Sequence, residues 1–266
     1  MGRIRSYFTD VAAYSGAVKG RELMNAVITG ANRGIGKAIM HTFAQNKYNI
    51  WACARKPNES FEAEIKQLAE SCGVRITPVY FDLADEDAVK AGIKQIISEK
   101  QPVNVLVNNA GVGHCGTLMM TPVSKLREVY EVNVFAQVQI MQLISRVMTR
   151  QRSGSIINIC SVGGMETGNG YIAYGSSKAA MIWLTKAAAK ELGEFGIRVN
   201  GIAPGLTDTE MGHYKSEEEI QKVFDRTVIK RFGRPDEIAQ GALYLASEAA
   251  AFITGQILVI DGGRVI

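Results

Sequence analysis

The chain runs to 266 residues, 47% of them hydrophobic, with 30 basic against 26 acidic side chains and a formal charge of +4. A chain of that length can bury one large core; its apolar runs all fall short of the ~18 residues of a membrane span, and so small and scattered a charge does not indicate a nucleic-acid surface. The four cysteines (Cys53, Cys72, Cys115 and Cys160) form neither a Cys-x-x-Cys pair nor a disulfide framework, so free thiols and a cytoplasmic location are expected.

In chain order, Met1 to Leu23 stays unassigned. Tyr7, Val11, Tyr14 and Val18 recur at helical spacing. Arg3, Arg5, Lys19 and Arg21 give the segment a faint likeness to a transit peptide, which Asp10, Glu22 and the scarcity of serine oppose. Residues 24–266 are expected to form one domain. The first apolar run, 25–29, leads into Gly30-Ala31-Asn32-Arg33-Gly34-Ile35-Gly36 and then into a helical pattern over 34–46. Strand, glycine-rich turn and helix N-terminus make a phosphate cradle, because glycine lets the backbone approach and the first helical N–H groups face an anion. A P-loop is the competing arrangement and it fails: Ala38 follows Gly36-Lys37 where Ser or Thr is needed, and Ala31 stands where the first glycine belongs.

Further strands are predicted at 49–54, 75–81, 103–107, 155–160, 197–203 and 256–260, and helices at 59–72, 86–99, 123–150, 173–194 and 235–247. Strands alternating with helices predict crossover connections and hence an α/β fold, a single-domain, Rossmann-type, doubly wound parallel sheet with helices on both faces. In such a sheet ligands gather beyond the carboxyl ends of the strands. The glycine turn, Asp82, Asn109, Ser161 and Pro204 each follow a strand-like run directly, so they should meet at one edge. His41, His114 and His213 show no ligand-like spacing, and no metal is expected. Met211 to Arg231 is polar without a clear apolar stripe, which predicts a mobile lid. Tyr171, Met165, Met211 and Tyr214 are candidates for the pocket or for packing.

The pair Tyr174 and Lys178 falls i, i+4 on a predicted helix, so phenol and ammonium share a face. A phenol with a reference pKa near ~10 is a poor acid–base group at neutral pH, and a neighbouring ammonium favours the phenolate. The pair stands thirteen residues after Ser161 and far downstream of the glycine turn.

Taken together, Thr29 to Gly36, Asn108-Asn109-Ala110-Gly111, Asn133, Ser161, Tyr174 with Lys178, Pro204-Gly205 and Asp261-Gly262-Gly263 resemble, in order and spacing, the short-chain dehydrogenase/reductase family. The likeness runs from about Met24 to the end and is closest to the 3-oxoacyl-[acyl-carrier-protein] reductase branch. The resemblance implies that Tyr174 protonates a developing alkoxide, Ser161 holds the same oxygen, and Lys178 lowers the phenol pKa and binds the nicotinamide ribose. Asn133 would fix a water joining Lys178 to solvent. It further implies a dinucleotide along Gly30, Asn32, Arg33, Gly34, Ile35 and Gly36, with Asp82 and Leu83 at the adenine. Asn109, Ala110 and Gly111 would lie beside the nicotinamide ribose, and Pro204, Gly205 and Thr207 at the nicotinamide. For Asp82 the alternative is a cap on the helix near residue 86.

Cofactor choice turns on the end of the second strand, where NAD-preferring enzymes usually carry an acid. Here Trp51-Ala52-Cys53-Ala54-Arg55-Lys56 has none, and Arg55 with Arg33 would grip a 2′-phosphate, so NADP (NADPH) is expected. The resemblance also implies a homotetramer packed through helices 123–150 and 173–194, for which Val134, Val138, Met141, Ile144 to Val147, Ile182, Ala189 and Leu192 offer apolar surface. Three functions follow. The first is an NADPH-dependent reductase of a β-ketoacyl thioester on an acyl carrier protein. The second is a reductase of a free ketone, sugar or secondary alcohol. The third is a dinucleotide-binding regulator, which the intact Asn133, Ser161, Tyr174 and Lys178 set opposes. Arg146 falls where the carrier-dependent enzymes place a docking arginine, and Phe195 falls where they usually place another, which argues against docking.

Overall fold

The computed structural model describes residues 23–214 and 216–264. Residues 1–22, with their helical spacing and transit-like charges, lie outside the described residues, as does the Tyr214 side chain. Seven strands form one wholly parallel sheet in the order β3-β2-β1-β4-β5-β6-β7. They are β1 (Asn25–Thr29), β2 (Asn49–Ala54), β3 (Ile76–Tyr80), β4 (Val105–Asn108), β5 (Gly154–Ile159), β6 (Ile197–Pro204) and β7 (Ile257–Ile260). The helices are α1 (Gly34–Gln45), α2 (Glu59–Cys72), α3 (Glu86–Ser98), α4 (Val123–Tyr130), α5 (Ala136–Gln151), α6 (Ile172–Leu192), α7 (Glu217–Asp225) and α8 (Pro235–Ala246). The doubly wound sheet expected from the alternating pattern is therefore present.

Strand alternation sorts the core into two layers. Ala26 and Ile28 of β1 pack with Ile39, Met40 and Phe43 of α1 and with Ile238 and Ala242 of α8. Val27 points the other way, joining Trp51, Leu106, Ile93, Ile140, Ile144 and Met181. Both faces are buried, as parallel strands require, because each crossover helix covers one of them. After β3 the chain returns across the sheet to place β4 beside β1, with Val27 opposite Trp51 on one side and Leu106 on the other. The reversal opens a crevice beyond the carboxyl ends of β1 and β4, where loops leave in opposite directions.

Two expectations change. The stretch 211–231 contains a helix, α7, started by a capping box in which Ser216 and Glu219 satisfy each other's backbone N–H groups. Ile220, Val223 and Phe224 form the short stripe that the surrounding acids conceal. On the helices expected to make subunit contacts, Val134, Met141, Ile144 and Ala189 are instead buried within the chain. Helix α5 meets α3 as well as the sheet, so it needs a wider apolar stripe than one contact would demand. The large exposed apolar side chains there are Val123, Phe135 and Trp183. The expected helix 123–150 also contains a π-helical turn, Glu131–Phe135, between α4 and α5.

Candidate active site

Thr29, the last residue of β1, builds the phosphate end of the crevice. Its Oγ1 accepts hydrogen bonds from the backbone N–H groups of Asn109 and Ala110, each at 3.0 Å. The Asn109 amide donates in return to the carbonyls of Thr29 (2.9 Å) and Gly30 (3.3 Å). These bonds fasten the glycine turn to the end of β4 across the switch point. Gly30 sits at φ +65°, and a Cβ on Gly36 would lie 2.1 Å from the Gly30 carbonyl oxygen, so only glycine admits this packing.

Helix α1 starts differently from its neighbours. Arg33 at its N-cap makes no side-chain capping bond, and the first turn carries no acid. By contrast α2, α3 and α7 are capped by Asn58, Asp85 and Ser216 and have acidic first turns. An uncapped, acid-free N-terminus that opens on a cleft retains unpaired N–H groups and positive potential for a bound anion. The residues therefore fit a dinucleotide pyrophosphate.

A cleft of about 870 Å³ runs from there along the strand ends. It is lined by Gly30, Asn32, Arg33, Gly34, Ile35, Arg55, Asp82, Leu83, Asn109, Ala110, Gly111, Ser161, Tyr174, Lys178, Pro204, Gly205 and Thr207. Of the catalytic and cofactor-binding residues singled out in the sequence, Gly36 and Asn133 are not on its wall. Asp82 is not the cap of α3, a role taken by Asp85; its Oδ1 accepts from Ala84 N–H at 3.0 Å. Arg55 is exposed at the end of β2. Arg33 is already paired with Glu210 from the opposite lip at 2.7 Å, where both side chains are mostly solvated. Such a surface pair contributes about 0–1 kcal/mol, so a dianion can displace it. Met165 is exposed and off the wall, whereas Tyr171 and Met211 line it.

At the other end, the π-turn brings Asn133 inward. Its Oδ1 accepts from Val112 N–H (2.8 Å), and its Nδ2 donates to the Val112 carbonyl (3.0 Å) and to Ser177 Oγ (3.0 Å). Its amide thus anchors the loop after β4; Asn133 and Lys178 flank Gly111, whose Cβ would lie 3.1 Å from Asn133 Oδ1 and 3.5 Å from Lys178 Nζ. Lys178 Nζ donates to the Ile159 carbonyl at 2.8 Å and lies 5.9 Å from the Tyr174 ring centroid. Burial pushes the Lys178 ammonium below its usual range. Ser161 Oγ accepts from Gly163 N–H at 3.0 Å, capping a turn at Val162–Gly164, which leaves its own O–H to donate. A hydroxyl donor, a phenol and a buried ammonium thus share one end of a cleft whose far end suits phosphate, which is the layout of a nucleotide-dependent oxidoreductase.

Comparison with known proteins agrees. A family model described as Enoyl-(Acyl carrier protein) reductase matches residues 30–264. The 3-oxoacyl-[acyl-carrier-protein] reductase FabG of Thermotoga maritima is 36% identical over 240 residues, covering 90% of this chain and 97% of that protein. A 7α-hydroxysteroid dehydrogenase complexed with NADH and 7-oxo glycochenodeoxycholic acid superposes with a TM-score of 0.84 at 36% identity, covering 90% of this chain and 93% of that one. A 3-oxoacyl-[acyl-carrier protein] reductase from Brucella melitensis gives a TM-score of 0.81 at 30% identity over 91% of each chain. The chain belongs to the short-chain dehydrogenase/reductase family, whose members bind NAD(P) and act on CH–OH and C=O groups.

Sequence reading placed Thr29 in the glycine-rich motif but gave it no role, although a polar residue closing an apolar strand is a usable sign. It left out Arg264, which lines the cleft from the C-terminal tail and carries no local pattern.

Proposed function

We propose that this protein is an NADPH-dependent carbonyl reductase whose substrates are β-ketoacyl thioesters. The observation that carries the reading is the convergence of Ser161, Tyr174 and Lys178 on one wall of the cleft that the uncapped start of α1 also enters. NADPH, when bound, supplies the hydride to the carbonyl carbon. Ser161 donates a hydrogen bond to the carbonyl oxygen, and Tyr174 gives that oxygen its proton as negative charge develops on it. Lys178, close above the Tyr174 ring, stabilises the phenolate left behind and reaches the nicotinamide ribose. Asn133 holds the loop carrying Val112 against α6 and orders the path by which the proton returns. Gly30, Asn32, Arg33, Gly34, Ile35 and Gly36 receive the pyrophosphate side, Asp82 and Leu83 the adenine, Asn109, Ala110 and Gly111 the ribose, and Pro204, Gly205 and Thr207 the nicotinamide. NADPH is preferred because the end of β2 lacks a carboxylate and presents Arg55 to the cleft.

The identity to carrier-protein reductases and the basic surface at the end of α5 support carrier docking. Arg146 is exposed, and the Arg152 guanidinium lies 5.7 Å over the Phe195 ring, so a cation stands at that position although residue 195 is not one. A second reading, reduction of a free ketone, sugar or secondary alcohol, is favoured by Phe195 itself and by likeness to an enzyme holding a 7-oxo ligand. Residues 24–266 make up the catalytic domain and 1–23 an extension without an assigned part. The four free cysteines suit a reducing, cytoplasmic location. Among the described residues no helix is long and apolar enough to cross a membrane. The protein assembles as a homotetramer, with exposed Phe135 and Trp183 marking the contacting helices.

The test is NADPH oxidation with a β-ketoacyl carrier substrate, its small thioester mimic and a panel of free ketones, repeated on Tyr174→Phe. The reading requires turnover to fall by about 10²–10⁴ in the variant while NADPH still binds. A variant that keeps a large share of wild-type activity refutes the role of Tyr174. A preference for free ketones over both thioesters decides for the second reading.

A further inference from the structure

The charged side chains lining the cleft, among the described residues, are Arg33, Arg55, Asp82, Lys178, Glu210 and Arg264. Arg33 and Glu210 pair with each other, and Arg55 and Asp82 follow β2 and β3 at the dinucleotide end. Two cations remain for the carbonyl end, Lys178 and Arg264. Arg264 has no place in the reduction as described above.

The C-terminal tail is pinned so that Arg264 meets the cleft. Gly205 N–H donates to the Ile260 carbonyl at 2.9 Å, and Ile229 N–H donates to the Gly262 carbonyl at 2.8 Å. A Cβ on Gly205 would lie 2.7 Å from Asp261 Cα, so the tail runs directly against the end of β6. The Arg264 side chain is only 12% exposed. Its Nη2 lies 2.5 Å from Oε1 of Glu166, five residues beyond Ser161, in a contact too poorly aligned to count as a hydrogen bond. The other oxygen of Glu166 takes Arg226 at 3.3 Å, from the end of α7. One carboxylate shared by two guanidiniums leaves a positive charge over. Arg264 Nε is buried with no hydrogen-bond partner among the described residues. A buried N–H donor on a cation is costly to leave unmet, and a carboxylate is the group a guanidinium edge fits best.

We propose that Arg264 is a specificity-determining residue, binding a carboxylate carried by the ketone itself, so that the substrate class is an oxo acid. This rests on the carbonyl-reductase reading and, within it, takes the free-ketone substrates of the second reading in place of the β-ketoacyl thioesters. Glu166 and Arg226 are the groups that hold the guanidinium in place from the catalytic loop and from the α7 segment. The cleft is also lined by apolar Val162, Leu206 and Met211, which suit a carbon chain between ketone and carboxylate.

The experiment compares a series of oxo acids with their methyl esters, using NADPH oxidation by the full chain, on wild type, Arg264→Met and Arg264→Lys. Wild type should favour each acid over its ester. Arg264→Met should lower kcat/KM for the acids by about ten- to a hundredfold, mainly through KM, and leave the esters near wild-type rates. Arg264→Lys should recover part of the preference for acids. Calorimetric binding of the acids to Tyr174→Phe and to Tyr174→Phe/Arg264→Lys gives the same comparison without turnover. Equal rates on acid and ester, or an acid preference that survives Arg264→Met, overturn the assignment while leaving the reductase reading intact. A phosphopantetheine thioester preferred over its dephosphorylated form through Arg264 would assign a phosphate to this guanidinium and also overturn it. Failure to reduce any acid, ester or thioester rejects the reductase reading instead.

Discussion

Gly36→Ala adds one methyl group at the point where the glycine turn is tightest. That methyl would lie 2.1 Å from the Gly30 carbonyl oxygen and 2.3 Å from Asn109 Nδ2, more than an ångström inside ordinary contact with a backbone atom. Neither neighbour can yield alone, because Asn109 Nδ2 is also bonded to the Thr29 carbonyl at 2.9 Å. The turn must move outward, taking with it the N–H groups at the start of α1. Overpacking of this kind costs about 1–3 kcal/mol of stability, or a fall of roughly 2–12 °C in Tm for a chain of this size. Loss of one charge-assisted bond to the pyrophosphate adds about 1.5–3 kcal/mol to the binding deficit, a ten- to hundredfold rise in Kd for NADPH. Gly73→Ala is the matching control. Gly73 also has a positive φ, +63°, but a Cβ there meets nothing within 4 Å, at the far end of α2. It should lose about 1 kcal/mol of stability from backbone strain and none of its cofactor affinity. Thermal unfolding and NADPH fluorescence titration of both variants provide the comparison. A Gly36→Ala protein that binds NADPH as tightly as Gly73→Ala does would refute the account of the turn.

Arg55→Ala should lower the ratio of kcat/KM for NADPH over NADH by about tenfold or more, since one charge-assisted bond to the 2′-phosphate is lost, and an unchanged ratio would mean that Arg55 never meets the cofactor. Thiol titration at pH 8 should find Cys115 and Cys72 reactive in the native protein and all four cysteines reactive after unfolding. Burial raises Cys53 to about 12 and Cys160 to about 11, so rapid native labelling of either would contradict the packing. Glu237 is held down to about 2 by the Arg231 guanidinium and the Arg234 N–H. Because its folded value lies below the unfolded one, its stabilisation is complete above about pH 4.5 and fades as pH falls toward 2. The Tm gap between wild type and Glu237→Gln should therefore be widest near neutral pH and shrink in acid; a gap independent of pH would dismiss the ion pair as its source.

Much of this architecture is legible in the chain because local signals coincide. Buried runs such as Val27-Ile28-Thr29 end in residues that cannot continue a strand, and Asn58 and Asp85 mark helix starts with their acidic first turns. Helix α7 was hidden because its three apolar residues sit among Glu217, Glu218 and Glu219, where composition outweighs periodicity. The apolar residues of α5 were assigned to a subunit contact because a one-dimensional pattern does not reveal how many neighbours a helix has. Motif residues of the cleft could be named from the family resemblance, and their gathering at one edge from their positions at strand ends. Arg264, Glu166 and Arg226 could not, because three distant segments bring them together only after folding.

The π-turn at Glu131–Phe135 gives the segment from Val123 to Gln151 one residue more than an unbroken helix of that span would hold. That surplus residue is what rolls Asn133 off the helix surface and onto Val112. Substitution cannot remove such a feature cleanly, but deletion can: losing one residue between 131 and 135 would restore regular backbone pairing and at the same time rotate α5 relative to α4. Along this stretch, chain length as well as side-chain chemistry sets where the Asn133 amide falls. A chain shortened by one residue here should keep its seven-stranded sheet while losing the tie from Asn133 to Val112.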